Sequence, residues 1–142
     1  MTIATLYNSF KAKIMNGSID LDTDTIKVAL CSASYVPDKD LHDFFDDITN
    51  EITGSTGYTA GGVAITNKAV TQDNTDDEGV FDGDDAVWTG ATFTFRYAII
   101  YKDTGVAGTS PLIGYIDFET NQVSTSGTVT IPWLAEGIIN LA

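Results

Sequence analysis

The segment Thr92-Phe93-Thr94-Phe95-Arg96-Tyr97-Ala98-Ile99-Ile100-Tyr101-Lys102 constrains the fold more than any other. Phe93, Phe95, Tyr97, Ile99 and Tyr101 occupy alternate positions, and an extended strand places alternate side chains on one face. The other positions carry Thr94, Arg96, Ala98, Ile100 and Lys102, so the opposite face is amphipathic rather than uniformly wet. A strand with so aromatic a face needs a second layer to cover it, which points to a packed β-domain.

The rest of the chain reads as follows. Ile3, Leu6, Tyr7, Phe10 and Ile14 recur at three- and four-residue spacing and predict an N-terminal helix. Thr2 is its expected cap, Lys11 and Lys13 lie near its end, and Asn16-Gly17 stops it. Such a helix either lies over the β-layers or docks on a neighbouring subunit. Thr25 to Ser32 alternates Ile26, Val28 and Leu30 with Lys27, Ala29 and Cys31, as in a half-buried strand. Leu41, Phe44, Phe45, Ile48 and Ile52 return to helical spacing, with Asp38 or Asp40 as cap, although Ile48 to Thr53 also suits an extended segment. From Val63 onward the segments are β-like: Val63 to Thr71, Gly79 to Phe81, Ala86 to Trp88, Thr92 to Lys102, Leu112 to Phe118 and Thr128 to Trp133. Short connections rich in Gly, Asp, Asn, Ser and Thr join them as hairpins. Pro111 marks a strand entrance and Pro132 a strand end or edge. The expectation is one α+β, mainly β domain spanning residues 1–142: an antiparallel β-sandwich or barrel with an N-terminal helix and a second short helix.

Charge then narrows the function. Seven Lys and Arg against twenty Asp and Glu give a formal net charge of −13, which disfavours nucleic acid and anionic membrane surfaces as partners. A basic protein surface, a bound cation or simple colloidal repulsion remain open. The single Cys31 makes no internal disulfide, and the sequence shows neither a membrane-length apolar run nor a secretory signal. A soluble protein made in a cytoplasm is expected.

Candidate chemistry is sparse. In the window 74–85, Asn74, Asp76 and Glu78 alternate, Gly79 falls sixth and Asp85 twelfth, which is the spacing of an EF-hand calcium loop. Asn replaces the usual first Asp, Asp replaces the closing Glu, and the flanks read as strands. A solvated acidic hairpin accounts for the same residues, and calcium is the sole cofactor the sequence suggests. Asp20, Asp22 and Asp24 also alternate, either gathering a cation or leading, hydrated, into a strand. His42 is the only histidine, so no histidine-based metal cluster forms within one chain. A pairing of His42 with Cys31 or a serine has no supporting nucleophile elbow or phosphate-cradling loop. Carboxylate pairs are too numerous among twenty acids to single any out. Trp88, Trp133 and the tyrosines suit either a core or a sugar-stacking platform. Enzyme activity is not expected.

Several stretches together resemble a known family. These are Tyr7-Asn8-Ser9-Phe10-Lys11, Gly17 through Leu30, His42-Asp43-Phe44-Phe45-Asp46-Asp47, Gly57-Tyr58-Thr59-Ala60-Gly61-Gly62, Phe95 through Asp103, Ser110-Pro111-Leu112-Ile113 and Tyr115-Ile116-Asp117-Phe118. Over nearly the whole chain they resemble a family of small structural proteins encoded beside the capsid genes of tailed bacteriophages. The resemblance implies a non-enzymatic virion component, a capsid decoration or cement protein on the outside of the expanded head, synthesised in the host cytoplasm. Its implied partners are the major capsid protein and neighbouring copies of itself, clustered as a trimer. The N-terminal helix or the Leu134 to Ala142 tail would reach those neighbours. The motifs are structural, so no binding residues carry over. The alternative reading is a tail or fibre module that recognises a cell-surface glycan.

Overall fold

The computed structural model describes residues 4–142. The expected cap Thr2 and the stripe residue Ile3 lie outside them. A two-residue strand β1 (Thr5–Leu6) leads into helix α1 (Asn8–Met15). Seven further strands follow: β2 (Ile26–Cys31), β3 (Val63–Ala64), β4 (Ala69–Asp73), β5 (Glu78–Asp82), β6 (Ala86–Lys102), β7 (Leu112–Ile131) and β8 (Ile139–Leu141). All pairings are antiparallel. One sheet has the order β1-β7-β6-β2-β3 and a smaller one the order β4-β5-β8. The fold is α+β, mainly β and sandwich-like. Among the described residues no helix is long and apolar enough to cross a membrane.

The aromatic strand forms, but its five alternating rings and aliphatics do not share a face. Phe93 and Phe95 join the main core with Ala98, Ile100, Trp88, Phe81 and Ile139. Tyr97, Ile99 and Tyr101 instead pack with Tyr7, Cys31, Tyr35 and Leu112 on the other side of the same sheet. The register explains the switch. Phe95 pairs with Gln122 and Tyr97 with Asp117, leaving Arg96 unpaired at an irregularity between them. Because side chains alternate with period two, one such step exchanges the faces of everything beyond it. A second irregularity, between Trp88 and Ala91 with Gly90 at φ 57, keeps both of those residues facing the main core. The two predicted strands Ala86 to Trp88 and Thr92 to Lys102 are thus one bulged strand, and Leu112 to Phe118 joins Thr128 onward in β7. β7 starts just after Pro111 and ends just before Pro132, as a ring that lacks an N–H requires.

Two cores also alter the reading of β2. All of its residues except Lys27 are buried, so it is covered on both faces rather than one. Leu6 belongs to β1, not to the helix, and α1 begins at Asn8 after Tyr7 in extended backbone. Phe10 carries the helix into the main core, which places α1 over the large sheet.

The predicted second helix, Asp40 to Ile52, is absent apart from a single 3₁₀ turn at Phe45–Asp47. Local aspartates explain this. The Asp38 carboxylate accepts the amides of Asp40 and Leu41, and that of Asp47 accepts the amides of Asp43 and Phe44. Side chains that bond neighbouring amides offer the backbone an alternative to helix. Leu41, a member of the apolar stripe, is left 76% exposed.

Candidate interaction surface

The acidic segment folds as a hairpin. β4 and β5 pair from Ala69↔Asp82 to Asp73↔Glu78, and Asp77 turns the corner at φ 57. Asp73 Oδ1 accepts the amides of Thr75 and Asp76 at 2.7 and 3.3 Å. Carboxylate oxygens of Asp73, Asp76 and Glu78 lie within 4.8 Å of one another. Asp76 and Glu78 therefore meet as the calcium-loop spacing expects, with Asp73 as the third member. Asn74 and Asp85 do not join them. Asn74 Oδ1 accepts a bond from Gln72 Nε2, and Asp85, beyond the far end of β5, accepts the Trp133 amide at 3.1 Å. The EF-hand cage does not form because Gly79, which that loop places in a sharp turn, sits in β5 opposite Gln72 and Leu141. Asp20, Asp22 and Asp24 also differ from expectation. The segment is a turn, closed by the Asp24 amide on the Asp20 carbonyl. Asp20 Oδ1 accepts the amides of Asp22 and Thr23, while Asp24 pairs with Lys102 at 2.9 Å. Hydrogen bonds from Thr23 hold the Asp20 carboxyl below the usual carboxylate range.

Two further clusters of titratable groups tie the fold together. His42 meets Tyr35, not Cys31: the Tyr35 hydroxyl lies 2.9 Å from His42 Nδ1 and 3.0 Å from the Tyr7 hydroxyl. The Asp38 amide also donates to Nδ1, so that nitrogen accepts, Tyr35 donates to it and Tyr7 donates to Tyr35. Burial pushes both tyrosines well above the normal phenol range. Burial, with the Glu51 charge adding to it, pushes the Cys31 thiol up to about 12, which keeps it protonated and unreactive.

The second cluster surrounds Glu51. Its Oε1 accepts the Tyr58 hydroxyl at 2.7 Å and the Gly61 amide at 2.6 Å. Tyr58 accepts the Leu30 amide, and Tyr101 donates to the Gly61 carbonyl. Lys27 and Asp103 pair at 2.7 Å on the rim of the same recess, whose volume is about 300 Å³. These bonds clamp the Gly57–Gly62 loop onto β2 and β6. The rings that a sugar platform would present are mostly interior: Trp88 is 3% exposed and Tyr97 7%. Trp133 is half-buried and donates its indole N–H to the Asp84 carbonyl.

A third feature was not legible from spacing. An apolar groove of about 530 Å³ opens between the end of α1 with its following turn and the inner face of the small sheet. Ile14, Ile19 and Leu21 form one wall, and Val70, Phe81 and Leu141 the other. The apolar tail Ile138, Ile139, Leu141 was its one trace in the sequence. That tail, expected to reach a neighbouring subunit, instead buries Ile138 and Ile139 and adds β8 beside β5.

No protein-family model, no curated protein and no solved structure matches the chain.

Proposed function

We propose that this chain is a non-enzymatic structural protein of a tailed-bacteriophage virion, a decoration or cement protein on the head exterior. In this reading it contacts the major capsid protein and neighbouring copies of itself in a trimer-like cluster. The observation that carries the reading is the use of the reactive groups. The His42–Tyr35–Tyr7 chain and the Glu51–Tyr58–Gly61 clamp spend the histidine, the buried tyrosines and Glu51 on tying separate parts of the chain together. What the molecule offers outward is an acidic surface, an apolar groove and the long β6–β7 ribbon. Adhesive contacts of this kind are individually weak but sum strongly when a symmetric shell repeats them.

The bacteriophage assignment itself rests on the resemblance of Gly17 through Leu30, Phe95 through Asp103 and the other quoted segments. The glycan-module alternative has fewer rings to draw on, since Trp88 and most tyrosines lie inside. Quantitative mass spectrometry of purified heads and tails from the encoding phage tests the proposal. A shell-like copy number in heads is expected, with heads lacking the chain losing resistance to heat. Detection in tails alone, or in trace copies, overturns it.

A further inference from the structure

The groove is an interruption of the core rather than an ordinary surface dent. Val70, Phe81 and Ile139 face one another across β4, β5 and β8, and Gln72, Gly79 and Leu141 form the next row on the same face. Phe81 and Ile139 are 2% and 3% exposed, whereas Val70 is 51% and Leu141 46% exposed. The second layer therefore covers this sheet at Phe81 and Ile139 and stops short of Val70 at the β4 edge and of the next row. At the centre of the uncovered row stands Gly79, where an added Cβ would meet nothing within 4 Å. Its backbone is not in the left-handed region, so no turn or strain explains the glycine. A side chain there would fill the groove.

The rim is acidic. Asp20 and Asp22 line the α1 side, and Asp73, Asp77 and Glu78 line an adjoining recess that shares Val70, Gly79 and Leu141 with the groove. Among the described residues none of these carboxylates takes part in an ion pair. The nearby Lys68 donates to the Asp22 carbonyl oxygen, not to a carboxylate.

We propose that the groove binds a segment of a partner protein in which apolar side chains are flanked by Lys or Arg. The apolar floor selects Leu-, Ile- or Val-type anchors, and the unpaired acids on two sides select the flanking cations. A second copy of this chain suits the rim poorly, because seven basic residues against twenty acidic ones leave it few cationic segments. The inference deepens the adhesive reading above and rests on it in assuming a protein partner. Its assay uses no phage particle, so failure of the bacteriophage assignment and failure of the groove are read separately.

The probes are three synthetic peptides: one with an alternating Leu-Val-Ile core between lysine pairs, one with glutamates replacing the lysines, and one with serines replacing the core. Amide chemical shifts of the ¹⁵N-labelled protein report where each binds, and fluorescence anisotropy reports how tightly. The lysine-flanked apolar peptide is expected to move the Gly79 and Leu141 amides and to bind about tenfold more tightly than either control at low salt. Gly79→Val, which fills the floor with a strand-favouring residue, is expected to abolish binding. Val70→Lys, at an exposed position, provides a second variant that repels the same peptide and tolerates the fold. Three results overturn the proposal: equal binding of all three peptides, shifts away from the groove, or binding unchanged in both variants. Concentration-dependent broadening of groove amides without peptide also overturns it, by making a second copy the occupant.

Discussion

Deleting Ala98, with deletion of Arg96 as the control, tests whether the irregularity between Phe95 and Tyr97 sets the two-core architecture. Arg96 has no partner in the β6–β7 register, and strict alternation without it leaves Phe93, Phe95, Ala98 and Ile100 on one face and Tyr97, Ile99 and Tyr101 on the other, the faces they already occupy. Ala98 lies in regular pairing opposite Ile116, so its loss exchanges the faces of Ile99, Ile100 and Tyr101. Each is nearly inaccessible, at 0, 0 and 2% exposed, and each face is already filled. Tyr101 would overpack the space of Ile100 and leave a void beside Phe45, on which its ring stacks at 4.1 Å. At about 2 kcal/mol for each displaced large side chain, the loss is on the order of 6 kcal/mol. That is comparable with the whole stability of a domain this size, about 5–15 kcal/mol. Deleting Arg96 keeps this packing and removes the two-pronged bond to Asp117, at 2.8 and 3.0 Å, between side chains about a third exposed, where water and salt screen the charges. Urea unfolding followed by tyrosine and tryptophan fluorescence should find a cooperative transition for the Arg96 deletion and none for the Ala98 deletion. An Ala98 deletion that unfolds cooperatively near the parent midpoint would show that the faces of β6 are set elsewhere, and the packing account would fail.

Two further outcomes follow from local geometry and ionisation. Gly62 lies at φ 78 with its Cα against β2, and an added Cβ would overlap the Val28 carbonyl oxygen, whereas Gly17 at φ 79 faces open space. Gly17→Ala should therefore cost about 1–2 kcal/mol for the left-handed backbone alone, and Gly62→Ala more than about 3 kcal/mol, as read from melting temperatures. Cys31, Tyr7, Tyr35, Tyr58 and Tyr101 are all raised by burial above their ordinary values of 9.0 for the thiol and 10.0 for the phenols. Above those ordinary values the unfolded chain holds fewer protons than the folded one, so stability is full below about pH 9 and falls as pH rises further. Urea midpoints measured from pH 8 upward should decline, with Cys31 labelled by a thiol reagent only as unfolding sets in; a flat profile would contradict the burial.

The sequence was most legible at turns and strand ends. The acidic hairpin and the strand boundaries at Pro111 and Pro132 follow from turn residues and proline, and β2 was legible as a strand though not in being buried on both faces. Val63 to Thr71, read as one strand, is two: β3 pairs with β2 in the large sheet and β4 belongs to the small one. The sequence was least legible where both faces are dry, because alternation then carries no contrast: the five alternating residues from Phe93 to Tyr101 look like one face and are two. Apolar spacing also misled at Leu41 to Ile52, where the aspartates that suggested a helix cap instead bond amides in turns. For the surface, the Asn74 to Asp85 pattern found two members of a real carboxylate cluster. It missed Asp73, because which acids meet depends on where the hairpin turns and not on spacing along the chain. The groove was invisible because it is made by a missing side chain at Gly79, opposite residues far away in the chain.

The pairing of β1 with the start of β7, Thr5 opposite Tyr115, and of β2 with the end of β6, Ile26 opposite Lys102, bears on how the molecule is made. Both pairings join residues far apart in the chain, and closing such loops slows folding relative to proteins built from neighbours. Among the described residues the β6–β7 hairpin is the longest pairing of consecutive strands, so it is the natural nucleus on which the earlier strands condense. While the chain is still emerging from the ribosome, β2 waits with its apolar residues uncovered until that hairpin exists. In that interval the many carboxylates keep newly made copies apart.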